Sequence, residues 1–113
     1  MTTGPKGMDI HLFRKGMEGF AKVDPEINAT MILIFLFVAQ RGLCTQKDVE
    51  VSLGLTNATA SRGVSWWCEV KRFGKEGAGY VERHEDPKDR RYKLLQLTPA
   101  GKKFYEKLRA LAL

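Results

Sequence analysis

Apolar residues recur with a helical period from the start of the chain: Ile10, Phe13, Met17 and Phe20 share one face, with Arg14, Lys15 and Glu18 between them. This predicts an amphipathic first helix from Asp9 onward, preceded by residues 1–8, whose glycines and proline read as a frayed end. Asp24 and Pro25 break the pattern. The run ATMILIFLFVA from Ala29 to Ala39 is apolar on every side, which predicts a buried second helix reaching about Gln40, capped by Asp24 or, slightly later, by Asn28. At well under the roughly 20 residues that a membrane span requires, it belongs in a core and not in a bilayer.

After Gly42 the spacing tightens. Thr45 and Asp48 stand where an N-cap hydroxyl and a first-turn carboxylate would open a third helix; Val49 and Leu53 share its inward face, and Gly54 ends it after little more than two turns. Leu55 plugs the corner and Thr56 caps a fourth helix from Asn57, with Ala60, Val64 and Trp67 as its buried stripe. Two short helices around so tight a turn predict a helix-turn-helix over 45–67. The stretch 69–79 holds three glycines in its second half and reads as an irregular loop. Residues 80–84 and 92–97 alternate like half-buried strands with EDPKDRR as a hairpin tip, and Thr98-Pro99 launches a last helix through Phe104, Leu108 and Leu111. The expected architecture is α+β and mainly helical: one winged helix-turn-helix domain over 1–113, with a two-stranded wing at 80–97 and flanking N- and C-terminal helices, the last at 99–113.

Composition sharpens this. With 113 residues, 43% hydrophobic and 28% charged, the chain has room for one domain. Its net charge of +6 is unevenly placed: residues 1–61 carry six basic and six acidic residues, whereas 62–113 carry thirteen and seven. The whole excess lies with the proposed recognition helix, wing and last helix, which points to a directed basic face and an acidic partner such as duplex DNA. On the fourth helix, Asn57, Thr59, Ser61, Arg62 and Ser65 fall outside the buried stripe, a small polar surface that a major groove about 12 Å wide accepts.

Other chemistries find little support. His11 and His84 lie far apart, no metal-ligand spacing, phosphate-cradling glycine loop or nucleophile motif is visible, and neither a cofactor nor an enzymatic activity is expected. Cys44 and Cys68 are spaced for neither a metal nor a redox pair. The N-terminus lacks the apolar stretch of a secretion signal, so a cytoplasmic location without membrane attachment is expected.

The segment DPKDRRYKLLQLTPAGKK from Asp86 to Lys103, together with TQKDVEVSLGLTNATASR before it, resembles the wing, following helix and helix-turn-helix of the MarR family of bacterial transcription regulators. The resemblance covers about the last seventy residues. It implies a DNA-binding regulator with the fourth helix in the major groove, Arg91 as a minor-groove finger and Asp89 as its orienting partner. Arg90, Lys88 and Lys93 would then contact phosphates, and Thr45, Gln46, Thr56, Asn57, Thr59, Ser61 and Arg62 complete the set of candidate DNA contacts. It also implies a homodimer, for which Leu108, Leu111 and Leu113 could pack, together with the first helix, against a second copy, and it leaves room for a small-molecule effector or for thiol oxidation at Cys44. The segment between Arg62 and Tyr80 is longer than the family pattern and holds Trp66-Trp67-Cys68. A rival reading follows from it: two adjacent tryptophans cannot both point inward from one helix, so Trp66, Trp67 and the 69–79 loop could instead meet a protein partner.

Overall fold

The computed structural model describes residues 7–69 and 79–111. Helix α1 (Ile10–Val23) is capped by the Asp9 side chain, and α2 (Ala29–Arg41) by Asn28, the later of the two expected caps. Asp24 instead accepts from the Glu26 amide and shapes the connection between them. Strand β1 (Cys44–Thr45) leads directly into α3 (Gln46–Leu53); α4 (Asn57–Glu69), β2 (Val81–Asp86), β3 (Asp89–Leu97) and α5 (Pro99–Ala110) follow. The expected glycine-rich loop lies, apart from its two ends, outside the described residues.

The sheet has the order β1-β3-β2, antiparallel throughout, with Cys44 opposite Leu95 and Val81 opposite Leu97. Two details go beyond the expectation. The wing is a two-stranded ribbon, but its inner end is joined by β1, which at two residues is too short for any periodicity to reveal. The strands also run further than 80–84 and 92–97, shrinking the charged tip to a turn at Pro87 and Lys88. There the Asp86 carboxylate accepts from the Lys88 amide at 2.9 Å, holding the chain in a turn through a side chain, and the pairing slips between Glu85 and Asp86. A ribbon in water on both faces tolerates charges that a core strand would not.

The core is an aromatic stack enclosed by helices. Phe35 and Trp67 meet at 4.9 Å, Trp67 stacks on Tyr80 at 5.9 Å, Tyr80 on Phe104 at 5.2 Å, and Phe20 meets Phe104 edge-on at 5.2 Å. Trp67 is fully buried, and its indole Nε1 donates to the Met31 carbonyl at 2.7 Å, giving the one polar atom of the ring a partner. Trp66 is half-buried and edge-on to Trp67, as adjacent positions on one helix require.

At the joint between wing and α5, Thr98 caps the helix by accepting from the Gly101 amide, and its hydroxyl donates to the Gly79 carbonyl at 2.6 Å. Gly101 lies so close to Tyr80 that a Cβ there would press into the Tyr80 carbonyl oxygen. The Thr-Pro-Ala-Gly run is thus a cap, a proline suited to the first helical position, and a glycine admitted by close backbone approach.

Candidate nucleic-acid interface

Helix α3 opens with a complete capping box: the Asp48 amide donates to Thr45 Oγ1 at 3.0 Å and the Thr45 amide to Asp48 Oδ2 at 2.9 Å. The Thr45 amide, with burial opposing it, holds the Asp48 carboxyl below the usual carboxylate range, helped by the Thr45 hydroxyl and Arg41. Gly54 ends α3 in the left-handed conformation (φ 65°, ψ 38°), a backbone that glycine adopts without strain, and the Leu55 amide returns to the Glu50 carbonyl at 2.9 Å. Thr56 Oγ1 then accepts from the Thr59 amide at 3.1 Å. Three residues therefore turn α3 into α4.

The first residue of α4, Asn57, is exposed, and its Nδ2 donates back to Glu50 Oε2 on α3 at 3.0 Å. Arg62 and Ala58 are exposed beside it, with Thr59 and Ser61 half-buried. On the wing, Arg91 forms a two-pronged pair with Asp89: Nε to Oδ1 at 2.9 Å and Nη2 to Oδ2 at 2.7 Å, with the Arg91 amide also donating to Oδ1 at 3.1 Å. The arginine holds the Asp89 carboxyl below its ordinary range, and the carboxylate raises the guanidinium in turn. The Arg91 side chain is nevertheless 83% exposed, so the pair fixes a cation that projects into solvent.

Between α3, α4 and the wing lies a cleft of about 780 Å³, lined by Lys47, Glu50, Asn57, Ser61, His84 and Arg91 among others. At its floor Arg83 bridges all three elements, with Nη1 donating to Gln46 Oε1 at 3.2 Å and Nη2 to Ser65 Oγ at 2.8 Å.

The cleft brings together Gln46, Asn57, Ser61, Arg91 and Lys93 from the expected set, while Thr56, Arg62, Lys88 and Arg90 are exposed around it. Several expected contacts are otherwise engaged. Gln46 is only 8% exposed and its amide oxygen serves Arg83, the Thr45 hydroxyl caps α3, and Lys93 reaches across the ribbon to Glu85 at 3.4 Å. Arg83, Glu50 and Lys47 were missed. An arginine at an inward position of an alternating strand, two residues from buried Val81, was the legible sign of Arg83; Glu50 had none, because its role depends on how α3 crosses α4.

Neither a family model nor a curated relative matches the chain. Solved structures do. The Staphylococcus aureus MepR–DNA complex superposes with a TM-score of 0.68 at 22% identity, covering 90% of this chain and 77% of that one. A MarR transcriptional regulator from Methanosarcina mazei gives 0.63 at 25% identity over 91% and 70%. A mutant E. coli MarR complexed with operator DNA gives 0.63 at 21% identity over 90% and 69%. The chain has the MarR-like winged-helix fold. Within that fold, α3 and α4 are the helix-turn-helix and β2–β3 the wing.

Among the described residues no group of His, Cys, Asp and Glu could hold a metal ion, and no helix is long and apolar enough to cross a membrane. Cys44 is buried in β1; burial, with Asp48 nearby, pushes its thiol up to about 11, and burial raises Cys68 as well. Both shifts oppose the thiolate that oxidation needs.

Proposed function

We propose that this protein binds double-stranded DNA as a transcription regulator, with α4 in the major groove and the wing, residues 84–93, against the neighbouring minor groove. The observation that carries the reading is the Asp89–Arg91 pair, which holds an exposed guanidinium at the wing, across the cleft from the polar start of α4. A fixed, projecting arginine suits the negative potential of a narrow minor groove. Arg62, Lys88 and Arg90 would meet phosphates, and Asn57 and Ser61 the base edges. Two of the similar structures hold DNA, which supports the assignment of partner. The protein-binding alternative loses ground because Trp67 is wholly taken up by the core.

A homodimer fits the apolar surface formed by α1, α2 and α5. Phe13 and Leu33 are 50% and 51% exposed and border an apolar cleft of about 340 Å³ shared with Met17, Leu36 and Leu108. A second copy would cover this surface, and two-fold symmetry would then present two recognition helices to a palindromic site.

The test is fluorescence anisotropy on a labelled random-sequence duplex pool at several salt concentrations, with Arg91→Ala beside the parent, sequencing of the bound fraction, and sedimentation of the free protein. Salt-sensitive binding that weakens in the variant, enrichment of a two-fold symmetric sequence and a dimeric mass are expected. A folded protein that binds no duplex at low salt would overturn the reading.

A further inference from the structure

Glu50 is a carboxylate on the face that the preceding reading turns toward a polyanion, and it is not spare surface charge. Its side chain is only 12% exposed and is gripped at both oxygens: Lys47 Nζ lies 3.8 Å from Oε1, and Asn57 Nδ2 donates to Oε2 at 3.0 Å. A carboxylate oxygen accepts hydrogen bonds, so the Asn57 atom facing it must be the nitrogen. This fixes which way the carboxamide points. Its Oδ1 has no hydrogen-bond partner among the described residues, and one of its two N–H groups is left over.

The consequence is chemical. With the N–H on its Cβ side given to Glu50, the carboxamide would present Oδ1 and the N–H beside it as one acceptor and one donor, matching the N6 amino group and N7 of adenine in the major groove. Guanine offers N7 and O6, both acceptors, and would require both N–H groups of the amide. With one N–H already committed to Glu50, that alternative is closed. We propose that Glu50 is a positioning residue that sets base preference: by holding the Asn57 carboxamide in one orientation, it makes the start of α4 select adenine over guanine at one position of each half-site. The proposal rests on the major-groove placement of α4 and adds to it the base read and the residue that enforces the choice.

The experiment begins from the sequence enriched by the parent protein and compares duplexes carrying adenine or guanine at the position whose preference Asn57→Ala abolishes. The parent should favour adenine on the order of tenfold. Glu50→Ala should bring the ratio close to one with overall binding retained, whereas Glu50→Gln, whose Oε1 still accepts, should preserve it. In the Asn57→Ala background, Glu50→Ala should change the ratio no further, a non-additivity that a general effect on folding would not produce. Glu50→Ala that keeps the parent's adenine preference would overturn the proposal, as would a change confined to some other base pair. A parent that binds duplexes without any preference overturns this inference alone; one that binds none overturns the DNA-binding reading with it.

Discussion

Substituting Gly101 by alanine sets two local effects against each other. On helix propensity alone, alanine inside α5 should stabilise the protein by about 1 kcal/mol. The added methyl, however, would press into the Tyr80 carbonyl oxygen, and that backbone cannot easily retreat. The Tyr80 amide donates to the Trp67 carbonyl at 2.8 Å, and the Tyr80 carbonyl accepts from the Thr98 amide at 3.1 Å. One residue earlier, the Gly79 carbonyl accepts from Thr98 Oγ1 at 2.6 Å. Making room means moving α5 away from the start of β2 and stretching at least one of these bonds.

Overpacking of this kind costs about 1–3 kcal/mol, and each buried hydrogen bond weakened adds about 1 kcal/mol. Against a propensity gain of about 1 kcal/mol, the net expectation is a loss of about 2 kcal/mol, or on the order of 10 °C in melting temperature for a domain of this size. Urea unfolding of Gly101→Ala beside the parent measures it, with a lower midpoint and an unchanged slope as the expected result. A variant as stable as the parent, or more stable, would show that the joint relaxes freely and that propensity decides the sign.

Other perturbations test separate parts of the argument. Arg83→Met should keep much of the packing but leave Gln46 Oε1 and Ser65 Oγ without their partner; a loss of about 1–3 kcal/mol is expected in urea unfolding. No loss would mean the bridge is dispensable. At neutral pH the Cys44 thiol, raised from 9.0 to about 11, should hold about a hundredfold less thiolate than a free cysteine, so alkylation of the native protein followed by mass spectrometry should leave it unmodified until unfolding. Asp48, whose carboxyl is lowered in the fold, contributes stability above the ordinary carboxylate pKa and loses it as pH falls through its folded value. The gap in melting temperature between the parent and Asp48→Ala should therefore narrow on acidification, and a gap indifferent to pH would refute the charged capping box.

Much of the fold can be read from caps and periodicity because those signals are local. Thr45, Asp48, Gly54 and Thr56 act within a turn of their own position, and all four stand in the structure as the spacing predicts. The Asp89–Arg91 pair is local too, two residues apart on one strand. What stays hidden depends on crossing geometry. Strand β1 exists only because β3 passes beside residues 44 and 45, and the Arg83 bridge joins residues 37 and 18 positions away. Gln46 misleads for the same reason: a polar residue early in a recognition motif suggests a groove contact, while the fold folds it beneath Arg83.

The charges of the proposed DNA face follow a consistent logic. Lys47 is matched by Glu50, Arg91 by Asp89 and Lys93 by Glu85, so these carboxylates surrender electrostatic attraction to DNA in exchange for position. Arg62, Lys88 and Arg90 form no ion pair among the described residues and are left to attract phosphate. If those three supply the phosphate contacts of each copy, a dimer neutralises about six phosphates, and the logarithm of its affinity should fall with the logarithm of salt concentration at a slope of about −5. A face using every cation indiscriminately would give a much steeper slope. Anisotropy titrations across a range of salt measure it directly. Replacing Lys88 or Arg90 by alanine should flatten the slope by about 2 per dimer, whereas Lys93→Ala should leave it nearly unchanged. Equal effects at all three positions would show that the Glu85–Lys93 pair opens on DNA and that position is not what the carboxylates maintain.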